Sequence, residues 1–206
     1  GAVAHLRFQK PPGDFHVKSA YIGRSPYFVV KMAGNFYENP ERGLASSNGV
    51  MMAFDADTGQ TVCLLADEGA LTDLRTALAG AIAGRLIAPA NTGTLGIVGA
   101  GTQAKLHAIW VSRHLGFENV QIWARDAERA EQLAQSLRGC PFAVTVQTDL
   151  LRLSRESDLI VTTTPSREPL ITPDMIRPGL RIVAIGADSA GKTEVAREVL
   201  AEADII

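Results

Sequence analysis

Apolar and polar positions follow two different rhythms along the chain, and the change falls near residue 90. Up to that point short apolar runs alternate with turn residues. Tyr27-Phe28-Val29-Val30-Lys31 and Val50-Met51-Met52-Ala53-Phe54 read as strands, and Asp57-Thr58-Gly59 reads as a hairpin turn into Thr61-Val62-Cys63-Leu64-Leu65. A helix follows, with Thr72 as its expected N-cap and Leu74, Leu78, Ile82 and Leu86 along one face. Gly80 and Gly84 stand four apart on it, a spacing that predicts close approach of another backbone. Pro89 ends the helix and Asn91-Thr92-Gly93 forms a linker.

From Thr94 strands and helices alternate. Expected strands are 94–98, 120–124, 143–147, 159–163 and 181–186, with helices over 103–114 and 127–137. This order predicts a parallel sheet with right-handed crossovers. The fold class is therefore α/β: a parallel-sheet domain over residues 93–206, preceded by a smaller α+β domain over residues 1–92. The abrupt start at Gly1-Ala2-Val3 and the strand-like end at Asp204-Ile205-Ile206 predict that both domains are incomplete pieces of a longer protein.

Composition narrows the partners. The 206 residues are 46% apolar and 20% charged, with a formal net charge of −2, which offers neither nucleic acid nor an acidic membrane an electrostatic reason to bind. No apolar run is long enough to span a bilayer. Cys63 and Cys140 make no CxxC and no disulfide framework, so a reducing cytoplasm is expected. The histidines His5, His16, His107 and His114 show no metal-ligand spacing, and no metal is expected. His107 and His114 read as decoration of a helix.

The chemistry concentrates at Gly99-Ala100-Gly101-Thr102-Gln103-Ala104, a G-x-G-x-x-A turn between an apolar strand and a helix. Gly99 permits the tight turn, Gly101 admits a pyrophosphate, and Ala104 keeps the helix close to the strand, while the amides of Thr102 and Gln103 face the phosphates. This is the Rossmann-type signature of NAD(H) or NADP(H). The second strand ends in Trp123-Ala124-Arg125-Asp126. A small neutral residue followed by Arg125 leans towards the 2′-phosphate of NADP(H), whereas Asp126 suits the ribose hydroxyls of NAD(H).

Several motifs in their order along the chain resemble the ornithine cyclodeaminase/mu-crystallin family. They are Lys31 with Asn39-Pro40-Glu41-Arg42-Gly43-Leu44, then Leu71-Thr72-Asp73-Leu74-Arg75-Thr76-Ala77, the glycine turn, and Gly186-Ala187-Asp188-Ser189-Ala190-Gly191-Lys192-Thr193-Glu194. The resemblance implies a substrate and dimerisation domain followed by a Rossmann domain, and a homodimer. It also implies an NAD(P)-dependent activity at the α-carbon of a small amino acid. Cyclising deamination, cyclic imine reduction and amino-acid dehydrogenation all occur in the family, as does a non-catalytic crystallin-like binding role.

By that resemblance Lys31 and Arg75 hold the substrate carboxylate, with Arg7 as a third candidate cation. Arg75, placed by the sequence in the first helical turn, also calls for an anion on electrostatic grounds. Lys31 is additionally a candidate proton donor, and Asp188 the proton acceptor at the end of its strand. Thr162, Thr163 and Gly186 border the nicotinamide ribose. Ornithine-specific members carry a glutamate ahead of the lysine strand. Here Lys18 stands near that place, and a cation cannot bind a distal ammonium.

Gly186 to Thr193 also matches G-x-x-x-x-G-K-[ST] literally, which would make Lys192 and Thr193 phosphate and magnesium ligands of an ATPase. The glycine turn on the first strand already supplies a better nucleotide site, and no strand ending in a magnesium-binding aspartate accompanies the motif.

Overall fold

The computed structural model describes residues 1–89, 93–188 and 190–204. The chain divides into two compact units, Gly1–Leu74 and Arg75–Ile206.

The first unit is an antiparallel meander of β1 (Ala2–Gln9), β2 (Pro12–Tyr21), β3 (Tyr27–Phe36), β4 (Ser47–Asp55) and β5 (Thr61–Leu65), paired in chain order. The long β1–β2 hairpin extends well beyond the strands the sequence announces. Its two strands are held in one unbroken register from Ala2↔Ser19 to Gln9↔Pro12. Because side chains alternate across a strand, that register sorts residues onto two faces. One face carries Leu6, Phe8, Phe15, Val17, Met32 and Leu64. The rows of the other are Arg7–Asp14–Asn35, His5–His16–Ala33 and Val3–Lys18–Lys31.

Helix α1 (Ala70–Ile87) starts three residues earlier than the Thr72 cap predicts. The Asp67 carboxylate accepts the Leu71 amide at 2.6 Å, so Asp67 does the work expected of Thr72. Thr72 instead accepts a hydrogen bond from Lys31 Nζ at 3.2 Å. The helix stops at Ile87, ahead of Pro89 as expected. Of the expected linker, Asn91 and Thr92 lie outside the described residues.

The second unit holds a parallel sheet in the order β10-β9-β6-β7-β8, formed by β6 (Thr94–Val98), β7 (Asn119–Trp123), β8 (Ala143–Val146), β9 (Leu159–Thr162) and β10 (Arg181–Ala184). Helices α2 (Thr102–Leu115), α3 (Ala127–Ser136), α4 (Leu150–Glu156) and α5 (Arg197–Ala201) complete it. Strands β6 and β9 are buried on both faces, and their near-continuous apolar sequence follows from that. Leu95, Ile97, Val111, Ile122 and Val161 form the main core, which Ala81 of α1 joins. The glycines of α1 meet side chains rather than a backbone: His107 at Gly80, and Leu115 and Leu159 at Gly84. His107 is therefore not surface decoration but fully buried.

Candidate functional site

Strand β6 is the turning point of the parallel sheet, with β7 on one side and β9 on the other. Ligands of such sheets bind beyond the carboxyl ends of the strands at this switch point, and the glycine turn lies there. Gly99 has φ +126°, and a side chain on it would meet Thr163 Oγ1 at 2.6 Å, so only glycine fits. Gly101 is the N-cap of α2 with φ −94°, and among the described residues nothing beyond its own chain neighbours lies within 4 Å of where its Cβ would be. That open space above the helix N-terminus suits a phosphate, since the first-turn amides lack intrahelical acceptors. No acid occupies the first turn of α2, and Ala104 is fully buried behind it. The residues present fit a dinucleotide pyrophosphate.

The end of β7 carries Arg125 and Asp126, the pair that the sequence offers for the ribose. Asp126 caps α3, its Oδ1 accepting the amides of Glu128 at 3.0 Å and Arg129 at 3.2 Å. Arg125 beside it is exposed.

The neighbouring strand ends are organised by a residue to which sequence reasoning assigned no role. Glu194, only 1% exposed, accepts four hydrogen bonds. Thr162 Oγ1 and the Gly186 amide reach Oε2, both at 2.7 Å, while the Thr164 amide (2.5 Å) and Thr164 Oγ1 (2.7 Å) reach Oε1. The backbone of Glu194 is held as well, its carbonyl accepting the amides of Leu170 and Ile171. One buried carboxylate thus ties the end of β9 to the end of β10. A side chain at Gly186 would collide with Thr164 O and with Thr164 N at 2.5 Å. The hydroxyl protons of Thr162 and Thr164 go to Glu194, and that of Thr163 goes to Val98 O at 3.2 Å.

Asp188 lies beyond β10 with its side chain 60% exposed, and Lys192 Nζ donates to its Oδ1 at 2.6 Å. Among the described residues the loop after β10 enters no helix until Arg197, so they do not give the strand–loop–helix setting that a phosphate-binding GK[ST] motif requires. Lys192 serves a carboxylate instead.

In the first unit Lys31, Arg7 and Lys18 share one sheet face, with Lys18 directly opposite Lys31 and Arg7 directly opposite Asp14. Arg75 falls in the second turn of α1, not the first, because the helix begins at Ala70. The helix dipole fades within one turn, and Asp73 already complements it. The dipole argument for an anion at Arg75 therefore falls away, leaving an exposed guanidinium on a helix. Residues far apart in sequence also meet on this face: ligand atoms of His5, Asp14 and His16 lie within 4.8 Å of one another. Linear spacing of histidines cannot show this, since strand pairing brings them together.

No helix among the described residues is long and apolar enough to cross a membrane, and Cys63 and Cys140 are unpaired.

Comparison with known proteins follows the same lines. The profile described as "Ornithine cyclodeaminase/mu-crystallin family" matches residues 3–206. RB0419 of Rhizobium meliloti, a dehydrogenase by name, is 37% identical over 99% of this chain and 62% of its own length. The alanine dehydrogenase of Archaeoglobus fulgidus is 30% identical over 98% of this chain and 61% of its own. Among solved structures, an archaeal alanine dehydrogenase dimer with bound NAD superposes with TM-score 0.89 at 28% identity, covering all of this chain and 62% of that one. The iminosuccinate reductase of Paracoccus denitrificans in complex with NAD+ gives TM-score 0.88 at 27% identity, covering 100% of this chain and 63% of that one. The chain thus spans about three fifths of the length of the relatives it matches.

Proposed function

Because this chain belongs to the ornithine cyclodeaminase/mu-crystallin family, we propose that it binds a nicotinamide dinucleotide and acts at the α-carbon of a small amino acid or the corresponding imine. The carrying observation is the Gly99–Ala104 turn at the switch point of the parallel sheet, with open space at Gly101. A bound nicotinamide supplies the hydride acceptor or donor. The protein supplies placement and proton handling. Lys31, Arg75 and Arg7 take the substrate carboxylate as charge-assisted donors, and Asp188 moves the proton at the substrate nitrogen or an attacking water. Lys192 holds the Asp188 carboxylate and so fixes its direction.

Oxidative deamination or cyclodeamination, imine reduction and amino-acid dehydrogenation use the same clamp and hydride site. The reading therefore names the α-carbon and not the direction. Lys18 opposite Lys31 speaks against a substrate with a distal ammonium, since like charges about 4 Å apart repel by about 4 kcal/mol near a protein surface. Arg125, with Asp126 engaged as a cap, favours NADP(H) over NAD(H). A homodimer would use the apolar face of the first sheet, where Leu6 is 53% and Phe8 42% exposed. Sedimentation giving a monomer at every concentration would remove that assignment. The unpaired cysteines suit a reducing cytoplasm.

The test is Gly101→Asp with NADPH and NADH fluorescence titration. Aspartate is a favoured N-cap residue, and its Cβ meets nothing here, so the thermal midpoint holds or rises. Its carboxylate sits where a phosphate would, so cofactor affinity falls roughly a hundredfold or more, the factor that about 2.7 kcal/mol represents. Unchanged binding in a folded variant would remove the dinucleotide reading.

A further inference from the structure

We propose that His5, Asp14 and His16 form a transition-metal site of the zinc class on the first sheet, separate in its evidence from the cofactor reading. The register places His5 directly opposite His16, and Asp14 lies two residues from His16 on the same face. The donor atoms already lie within 4.8 Å of one another. His16 Nε2 is 3.6 Å from Asp14 Oδ1. Zinc–nitrogen and zinc–oxygen bonds of about 2.0–2.1 Å give ligand separations of about 3.3 Å in a tetrahedron, so this edge needs to close by only a few tenths of an ångström. The His5 and His16 rings stack at 4.2 Å between centroids. His5 is exposed, so its ring is free to turn its nitrogen towards the same point.

The carboxylate is prepared for the task. Asp14 is only 8% exposed, Tyr37 Oη donates to its Oδ2 at 2.5 Å, and Asn35 Nδ2 approaches Oδ1 at 3.5 Å. Tyr37 thereby anchors one oxygen and leaves the other towards His16, the outer-shell support that ligating carboxylates usually have. Two imidazoles and one carboxylate suit Zn²⁺, Co²⁺ or Ni²⁺ rather than Ca²⁺ or Mg²⁺, which prefer all-oxygen sites. Three protein ligands leave a fourth position open. The bound ion and its ligands would carry one net positive charge, with Arg7 in the next row across from Asp14. An anion, a carboxylate or hydroxide, is therefore the fitting fourth ligand.

Zn²⁺ titration by calorimetry, thermal shift with Zn²⁺, and the visible spectrum of the Co²⁺ form test the site on the protein and on H5Q, H16Q and Y37F. One equivalent of Zn²⁺ should bind and raise the unfolding midpoint, and Co²⁺ should give the intense visible bands of a four-coordinate ion. H5Q changes an exposed side chain and leaves the sheet intact. It should weaken Zn²⁺ at least tenfold, as should H16Q, and Y37F should weaken it about tenfold through the carboxylate. Absence of saturable binding overturns the proposal. So does Zn²⁺ binding with the same affinity in H5Q and H16Q, which would place the ion on other side chains.

Discussion

Gly80→Ala in the exposed middle of a helix should stabilise a protein by about 1 kcal/mol, because alanine is the better helix former. Here the expected sign is the opposite. A Cβ on Gly80 would sit inside van der Waals distance of His107 Nε2 and 2.5 Å from His107 Cδ2. His107 has no room to retreat, being fully buried, and its Nδ1 lies 2.8 Å from the Gln103 carbonyl. A carbonyl only accepts, so Nδ1 carries the proton. Overpacking of this kind costs about 1–3 kcal/mol. Turning the ring away also strands a buried donor, about 1–3 kcal/mol more. Against the helix-propensity gain, the net loss is about 1–5 kcal/mol, or roughly 2–20 °C in Tm at this chain length. Differential scanning calorimetry of Gly80→Ala, His107→Ser and the double variant measures it. In the His107→Ser background the clash is gone and Gly80→Ala should become neutral or stabilising. A rise in Tm for Gly80→Ala alone would refute the packing argument.

The same histidine makes stability depend on pH. Burial holds the His107 pKa below its ordinary 6.5, with the Gln103 hydrogen bond opposing, and Nε2 has no hydrogen-bond partner among the described residues. The unfolded chain then binds the extra proton, so stability is full above about pH 6.5 and falls as pH drops towards the folded pKa, by at most about 1.4 kcal/mol per unit. Urea midpoints from pH 7.5 to 5 should show this slope, and His107→Phe should flatten it; an identical slope in that variant would assign it elsewhere. Glu194→Gln should cost about 2–4 kcal/mol, because the amide nitrogen must face either the Thr164 or the Gly186 amide. It should also weaken dinucleotide binding by loosening the ends of β9 and β10, and calorimetry with cofactor titration reads both; a variant as stable as the parent would show that the hub is dispensable. Asp188→Asn should lower kcat about 10²–10⁴-fold while leaving cofactor affinity within about twofold of the parent, and undiminished turnover would end its proton-transfer role.

The parallel half of the fold was legible because its signals are local. Strands buried on both faces must be continuously apolar, and their ends fall within a residue or two of the sequence reading. The glycine turn was legible because a positive φ and an unobstructed helix N-terminus each demand a particular residue type. The start of α1 was misplaced because threonine and aspartate are both good caps. Only the structure shows that Asp67 takes the Leu71 amide while Thr72 turns to Lys31. That shift of three residues moved Arg75 out of the first turn and removed the electrostatic argument built on its place there.

What stayed hidden has one physical cause: pairing between distant residues. Glu194 is only the last residue of a motif in the sequence, yet it is buried because four donors from the ends of two strands converge on it. A carboxylate without a cation is costly to bury unless its lone pairs are filled, and here two threonine hydroxyls and two amides fill them. Thr162 and Thr164 therefore act as structure, their hydroxyls spent on Glu194. His5, Asp14 and His16 follow the same logic on the other sheet. Eleven positions separate His5 from His16 in sequence, but the β1–β2 register puts them side by side. Chemistry built on a helix or a tight turn leaves a spacing in the sequence. Chemistry built across strands leaves only the register, and the register of the β1–β2 hairpin is set by the Leu6–Phe15 face, on the side opposite these ligands.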